Sequence, residues 1–178
     1  PLISAVGAEQ VLVVDDGSAD GTAEFVATLP GVRCISFSGN RGKGTALATG
    51  IALARQDGRE WCLSMDADGQ HSMDDIPAFL DAAAAVPAEV GILAGARNFS
   101  LGIMPWPRIL SNALSTWMVS WVAGAKVFDA QCGYRMYRSS METVGVFPTQ
   151  GRFEWEPAVL VNAVRKGFAV ARVPVQTL

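Results

Sequence analysis

Short apolar runs alternate with segments of helical periodicity along most of the chain. The apolar runs are bounded by glycine, proline or acidic residues, as expected for buried strands. The predicted strands are residues 11–14, 33–37, 61–65, 91–95 and 168–175. The predicted helices are residues 22–29, 43–55, 76–83, 108–123 and 153–167. This alternation predicts an α/β domain with a mostly parallel sheet and helices on both faces.

Composition narrows the class of protein. Half of the 178 residues are hydrophobic and 17% are charged, which indicates one globular domain spanning residues 1–178. The net charge of −3 argues against a nucleic-acid partner. Three cysteines without CxxC spacing and a single histidine argue against a zinc site and favour buried thiols in a reducing compartment. We identify no signal peptide and no apolar run long enough to cross a membrane.

Two carboxylates one residue apart follow the third predicted strand. Asp66 and Asp68 point to the same side of an extended chain, and Gln70 adds another oxygen. An acid pair beside an apolar strand is costly unless a cation lies between its members. A hard ion such as Mg²⁺ or Mn²⁺, bound with a nucleotide diphosphate, fits this pattern. The alternative is a solvated turn whose acid caps the next helix.

Two further motifs lie at predicted strand ends, where ligands of parallel sheets bind. Asp15 and Asp16 could accept hydrogen bonds from a base or ribose, or could serve only turn formation and helix capping, and we weigh these alternatives equally. The segment SGNRGKG lacks the spacing of a P-loop. Its Arg41 and Lys43 precede a helix and could still attract a diphosphate.

The second half of the chain carries scattered charges and tryptophans. A salt bridge between Asp129 and Arg135 is the structural alternative to a functional role for these two residues. The helical spacing of Trp106, Trp117 and Trp121 favours a core position over a membrane anchor.

Taken in order, seven segments resemble the family 2 glycosyltransferases, and within them the bacterial relatives of dolichyl-phosphate mannose and glucose synthases. The segments are VVDDGSADGT, NRGKGTALATG, MDADGQH, GAR, DAQCGYRMYR, FEWE and VPV. The resemblance implies the GT-A fold, a Rossmann-like nucleotide-sugar domain, and an inverting, metal-dependent enzyme. Relative to that family, the opening strand is absent and both ends look truncated, so we expect a fragment of a longer protein.

The resemblance also implies residue roles, which fall into three groups. The residues to which the resemblance assigns nucleoside and diphosphate binding are Asp15, Asp16, Lys43, Asp66, Arg97 and Arg135. The metal site of the DXD motif consists of Asp66, Asp68 and Gln70, holding Mg²⁺ or Mn²⁺. The catalytic candidates are Asp129 as first choice of base, Glu154 as second, and Arg108 facing phosphates; Glu156 completes an acidic pair with Glu154.

The implied reaction moves a hexose from a GDP- or UDP-sugar to an acceptor. A polyprenyl phosphate acceptor is already anionic and needs no strong base, whereas a saccharide hydroxyl does. The expected location is cytoplasmic, with peripheral contact at the inner face of the membrane. The alternatives are a sugar-1-phosphate nucleotidyltransferase and a non-catalytic nucleotide-sugar-binding module.

Overall fold

The computed structural model describes residues 2–97 and 106–176, without the side chains of residues 3, 107 and 108. The helices are α1 (Leu2–Val6), α2 (Thr22–Ala27), α3 (Lys43–Gln56), α4 (Ile76–Ala85), α5 (Trp106–Ala123) and α6 (Trp155–Arg165). The strands are β1 (Leu12–Asp15), β2 (Arg33–Ser36), β3 (Trp61–Ser64), β4 (Val90–Arg97), β5 (Arg135–Arg138) and β6 (Ala169–Val175). All five predicted strands are confirmed, and no strand end shifts by more than two residues.

One strand, β5, was not predicted. It lies antiparallel between β3 and β4, so that Arg135 is in register with Ser64 on one side and Ala94 on the other. The strand has only four residues and arginine at both ends, which hides the period of a strand. Arg138 keeps its place by laying its guanidinium over the ring of Trp61, 4.3 Å from the centroid.

The predicted mostly parallel sheet is confirmed. In the main sheet the order is β3-β5-β4-β6, and β5 runs against the other three strands. The strands β1 and β2 form a separate parallel pair. Because β5 is antiparallel, its amino end lies at the same edge as the carboxyl ends of β3 and β4.

The core is divided between the two faces of the main sheet. Ile92 of β4 packs in one cluster with Trp155 and Leu160 of α6, whereas the next residue, Leu93, packs with Phe79 of α4 in another. Successive strand residues point to opposite faces, so this division follows directly from the pleat. Helices therefore cover both faces, as predicted. Among the described residues, no helix is both long enough and apolar enough to cross a membrane.

Candidate functional site

A cluster of charged side chains lies where β3 ends and β5 begins. Asp66 follows β3 by two residues, and Lys43 is the first residue of α3. The Lys43 ammonium Nζ lies 2.8 Å from Asp66 Oδ2 and 3.4 Å from Glu156 Oε2 on α6. One cation thus connects carboxylates from two elements that are far apart in sequence.

His71 joins this cluster from the other side of Asp66. Its Nε2 lies 3.8 Å from Asp66 Oδ2, and its ring packs 4.7 Å from the ring of Tyr134, centroid to centroid. His71 and Lys43 together lower the pKa of Asp66 to about 2. At 3.8 Å the His71 contact is longer than a normal hydrogen bond, so Lys43 is the direct partner of Asp66.

The charge of Lys43 is stabilised despite its partial burial. Burial by itself lowers the pKa of Lys43, but the hydrogen bond to Asp66 and the charge of Glu156 outweigh it and raise that pKa. Lys43 therefore remains a cation throughout the neutral range.

Gly133 lies next to all three charged groups of the cluster. A Cβ atom at this position would lie 3.0 Å from Lys43 Nζ, 3.1 Å from Asp66 Oδ2 and 3.3 Å from Glu156 Oε1. The space above Gly133 is therefore lined by one cation and two carboxylates. The buried Glu156 Oε1 accepts no hydrogen bond from the part of the chain that is described.

The second acid of the DXD motif has a different environment. Asp68 is exposed, and its Oδ1 accepts a hydrogen bond from the backbone N–H of Gln70 at 3.0 Å. The turn between them depends on Gly69, whose φ is +78°. Sequence reasoning predicted metal-binding oxygens here, and Asp68 and the Gln70 side chain are both open to solvent.

The predicted metal ligands fit a hard divalent ion in chemistry, with carboxylate oxygens and an amide oxygen as donors. Within residues 2–97 and 106–176, no three His, Cys, Asp or Glu side chains are already arranged around a metal position. Lys43 sits on Asp66 instead, and the orphaned Glu156 Oε1 lies close by. The ligand set Asp66, Asp68 and Gln70 stays a prediction.

The two acids at the carboxyl end of β1, Asp15 and Asp16, support the turns around them. Asp15 is buried and accepts hydrogen bonds from the Ser18 N–H at 3.1 Å and the Ser36 hydroxyl at 2.6 Å. Hydrogen bonds from Ser18 and Ser36 lower the pKa of Asp15. Asp16 accepts from the backbone N–H groups of Arg41 and Gly42, at 2.6 and 2.9 Å. Asp16 therefore fixes the loop that leads to Lys43.

The salt bridge between Asp129 and Arg135, considered above as the structural alternative, does not form. Asp129 pairs with Arg97 at the end of β4, accepting from its Nε at 2.7 Å and its Nη2 at 2.9 Å. Arg135 is fully buried and donates to the backbone carbonyls of Ala130 and Glu156 at 2.7 and 3.2 Å. Through these two hydrogen bonds Arg135 supports the backbone around the site, and the substrate contact predicted for it stays a prediction.

Glu156 rather than Glu154 reaches the charged cluster. Glu154 is exposed and accepts a hydrogen bond from the Arg152 N–H at 3.0 Å, which lowers its pKa. The side chain of Arg108 lies outside the described residues. Sequence reasoning missed His71 as a site residue; its position three residues after Asp68 was the available signal.

The helix α5 exposes the tryptophans that were predicted to be core. Trp106, Trp117 and Trp121 are 68%, 63% and 75% exposed, so the core prediction is wrong. The buried side of α5 is made by smaller residues such as Val119 and Ala123. The exposed apolar face consists of Trp106, Leu110, Leu114, Trp117, Met118, Trp121 and Val122.

Positive charges surround the carboxyl end of α5. Residues 106–126 contain no Asp or Glu. Lys126 lies over the ring of Phe128, and Arg165 donates to the Val122 carbonyl at 3.4 Å. The next residue, Lys166, is exposed. In a chain whose net charge is −3, this end of the molecule combines aromatic and basic groups.

Curated relatives align with nearly the whole chain. A polyprenol monophosphomannose synthase from Mycolicibacterium smegmatis is 27% identical over 175 residues, covering 93% of this chain and 65% of the relative. An undecaprenyl-phosphate mannosyltransferase from Micrococcus luteus is 27% identical over 189 residues, covering 98% and 74%. The chain therefore spans between about two thirds and three quarters of the length of these relatives.

Solved structures share the fold. A mannosyl-3-phosphoglycerate synthase from Rubrobacter xylanophilus superposes with a TM-score of 0.72 at 20% identity, covering 94% of this chain and 54% of that one. A glucosyl-3-phosphoglycerate synthase from Mycobacterium tuberculosis, in complex with Mn²⁺, UDP-glucose and phosphoglyceric acid, gives 0.69 at 15% identity, covering 93% and 58%. The fold is GT-A, as the sequence resemblance implied.

The sequence profile described as Glycosyl transferase family 2 matches residues 6–142, from the last residue of α1 through β5, which includes Lys43 and Asp66 of the charged cluster but not Glu156. This match covers more than half of the chain, and the chain belongs to glycosyl transferase family 2.

Proposed function

We propose that this domain transfers a hexose from a nucleotide sugar to a polyprenyl phosphate, with inversion at the anomeric carbon. The observation that carries the proposal is the cluster of Lys43, Asp66 and Glu156 beside the exposed Asp68, at the edge of the sheet where strand ends meet. Family membership, and two curated relatives named for polyprenol or undecaprenyl-phosphate mannosyl transfer, support the same reaction.

We assign the diphosphate of the donor to this cluster. Asp66, Asp68 and Gln70 would hold Mg²⁺ or Mn²⁺, which supplies positive charge that stabilises the departing diphosphate. Lys43 adds a protein cation at the amino end of α3, where backbone N–H groups also favour anions. Asp15 and Asp16 shape the neighbouring turn against which the nucleoside would lie, and GDP and UDP both remain candidates.

The environment of Asp129 favours a phosphate acceptor over a saccharide hydroxyl. Both carboxylate oxygens of Asp129 already accept hydrogen bonds from Arg97, and its side chain is 1% exposed. A general base must reach the proton that it removes. A polyprenyl phosphate brings an anionic oxygen and needs no such base, so the ion pair is compatible with catalysis. Arg97 and Arg108 would then face phosphate groups.

The exposed face of α5 supports a lipid acceptor. Tryptophan and basic side chains together are typical of surfaces that lie at a membrane interface. We propose peripheral binding at the cytoplasmic face of the membrane through this side of the molecule. In sedimentation with vesicles of phosphatidylcholine and phosphatidylglycerol, we expect a Trp117→Ser/Trp121→Ser variant to bind several-fold less than the parent chain. Equal sedimentation would contradict this contact.

A transfer assay tests the reaction itself. GDP- and UDP-linked hexoses are incubated with Mn²⁺ and with polyprenyl phosphate, 3-phosphoglycerate or no acceptor. We expect transfer that depends on both Mn²⁺ and polyprenyl phosphate. Transfer to 3-phosphoglycerate alone would reassign the acceptor, and donor binding without transfer to any acceptor would favour the non-catalytic module. The nucleotidyltransferase alternative is at odds with family membership.

A further inference from the structure

Lys43 pairs directly with Asp66, the first acid that we assign to a divalent cation. Its Nζ is 2.8 Å from Asp66 Oδ2, so the first acid of the DXD motif is already neutralised by the protein. The second acid, Asp68, is exposed and pairs with no cation among the described residues. The two acids of one motif are therefore in unequal states before any metal or donor arrives.

A second carboxylate, that of Glu156, lies close enough to Lys43 to become its partner in place of Asp66. Glu156 Oε2 lies 3.4 Å from Lys43 Nζ, and its side chain is 12% exposed. Its other oxygen, Oε1, is buried and accepts no hydrogen bond from the described residues. A buried carboxylate with one unused oxygen is costly unless a cation can approach it. Gly133 leaves the space between Asp66 and Glu156 open, since its missing Cβ would contact all three charged groups.

We propose that Lys43 is an internal counter-ion that Asp66 hands over to Glu156 when a divalent metal binds. The ammonium moves from one carboxylate to the other across the space above Gly133, and Asp66 turns its oxygen to the metal. Glu156 is the positioning residue of this exchange, because it gives the displaced Lys43 a partner and keeps it beside the donor diphosphate. The inference rests on the metal assignment of the proposed function, but it concerns the protein before nucleotide binds.

The exchange requires that Lys43 competes with the metal. Removing the lysine charge should therefore tighten Mn²⁺ binding in the absence of nucleotide, even though it removes a group that would bind the donor. We expect a gain of about tenfold for Lys43→Gln, well below the full Coulomb energy, since the Asp66 side chain is 37% exposed. Glutamine retains a hydrogen-bond donor toward Asp66, which limits damage to the fold.

The role of Glu156 is tested by combining variants. In the presence of Lys43, Glu156→Gln should weaken Mn²⁺ binding about tenfold, because the displaced ammonium loses its second partner. In the Lys43→Gln background the same change should weaken binding only about twofold, through the loss of a nearby negative charge. This difference is the coupling between the two residues. A Glu156 that acts on the metal only through space would give the same loss in both backgrounds.

The experiment measures free Mn²⁺ by electron paramagnetic resonance during titration of the chain without nucleotide or acceptor. Lys166→Gln, at the far end of α6 from Glu156, is the matched control for loss of one lysine charge and should leave Mn²⁺ affinity unchanged. Unchanged or weaker Mn²⁺ binding by Lys43→Gln overturns the exchange, and equal losses for Glu156→Gln in both backgrounds overturn the role of Glu156. Neither result depends on sugar transfer, so failure of the proposed reaction is read separately in the transfer assay.

Discussion

The charged cluster and the outer face of α5 reverse the usual distribution of residues. Around Gly133, two carboxylates and an ammonium group are drawn into a partly buried space, whereas α5 leaves three tryptophans in solvent. The cluster compensates its own charges within the protein, so burial is tolerated. Within the described residues, nothing covers the apolar side chains on the outer face of α5. The stability of the fold therefore does not explain the composition of this face.

The largest expected effect is a difference in the free energy of unfolding between substitutions of two tryptophans, one buried on α6 and one exposed on α5. Trp155 of α6 is 1% exposed, stacks on Phe147 and donates its indole N–H to the Pro148 carbonyl at 2.7 Å. We expect Trp155→Ala to lower the free energy of unfolding by about 3–5 kcal/mol. Trp121→Ala on the outer face of α5 should change it by less than about 0.5 kcal/mol. Urea denaturation followed by circular dichroism measures both, and similar losses would contradict the assignment of α5 as an outer face.

The next largest effect concerns the exposed acid of the DXD motif. Asp68→Asn should reduce metal-dependent sugar transfer by about 100-fold, since an amide replaces the carboxylate that we assign to the metal. The free energy of unfolding should be nearly unchanged, because Asp68 is exposed. Asp74→Asn, another exposed acid nearby, is the matched control and should keep full activity. Full activity in Asp68→Asn would remove this residue from the metal site.

Much of the fold, but less of the site, could be predicted from the sequence. Apolar runs between acids and glycines identified β1 to β4 and β6 because burial on both faces leaves a continuous hydrophobic signal. The strand β5 was missed because Arg135 and Arg138 occupy it. These arginines fit a strand only because distant segments supply the Glu156 and Val90 carbonyls and the Trp61 ring as their partners. Periodicity identifies one side of α5 as apolar but cannot tell whether that side meets the core or solvent.

Partners in the site were the least predictable feature. From the sequence, a salt bridge between Asp129 and Arg135 was an open alternative, yet Arg135 lies opposite Ala94 in the sheet and Arg97 is the partner of Asp129. Asp129 has a positive φ of +38°, and its carboxylate meets Arg97 at the end of β4. Such pairings depend on strand order, which a single sequence does not contain. The same holds for Glu156, whose distance from Lys43 depends on how α6 packs against the sheet.

A smaller effect is expected when a methyl group is added inside the cluster. In Gly133→Ala the new Cβ would lie 3.0 Å from Lys43 Nζ and 3.1 Å from Asp66 Oδ2, so these groups must separate. We expect donor affinity to fall about tenfold, measured by isothermal titration with the nucleotide sugar that the transfer assay identifies and Mn²⁺. Gly50→Ala, within α3, is the control, because its Cβ would make only an ordinary contact of 3.5 Å with Val14. Unchanged donor affinity in Gly133→Ala would place the donor elsewhere.

The smallest expected effect is the part of the pH dependence of stability that comes from the paired charge of Asp66. His71 and Lys43 lower the pKa of Asp66 to about 2, below its ordinary value of 3.8, so the ionised carboxylate stabilises the folded state above about pH 4. That contribution is lost as pH falls from about 4 toward 2, where the folded protein also takes up the proton. Because Asp66 is 37% exposed, solvent screening reduces this contribution to about 1 kcal/mol.

Asp66→Asn should therefore be less stable than the parent chain at pH 6 in urea denaturation, and this deficit should shrink between pH 4 and 2. The exposed Asp81→Asn on α4 gives the background for loss of one carboxylate. A deficit that stays constant down to pH 2 would mean that Asp66 stabilises the fold through packing rather than through its charge. Charge pairing would then no longer distinguish the cluster from the apolar face of α5.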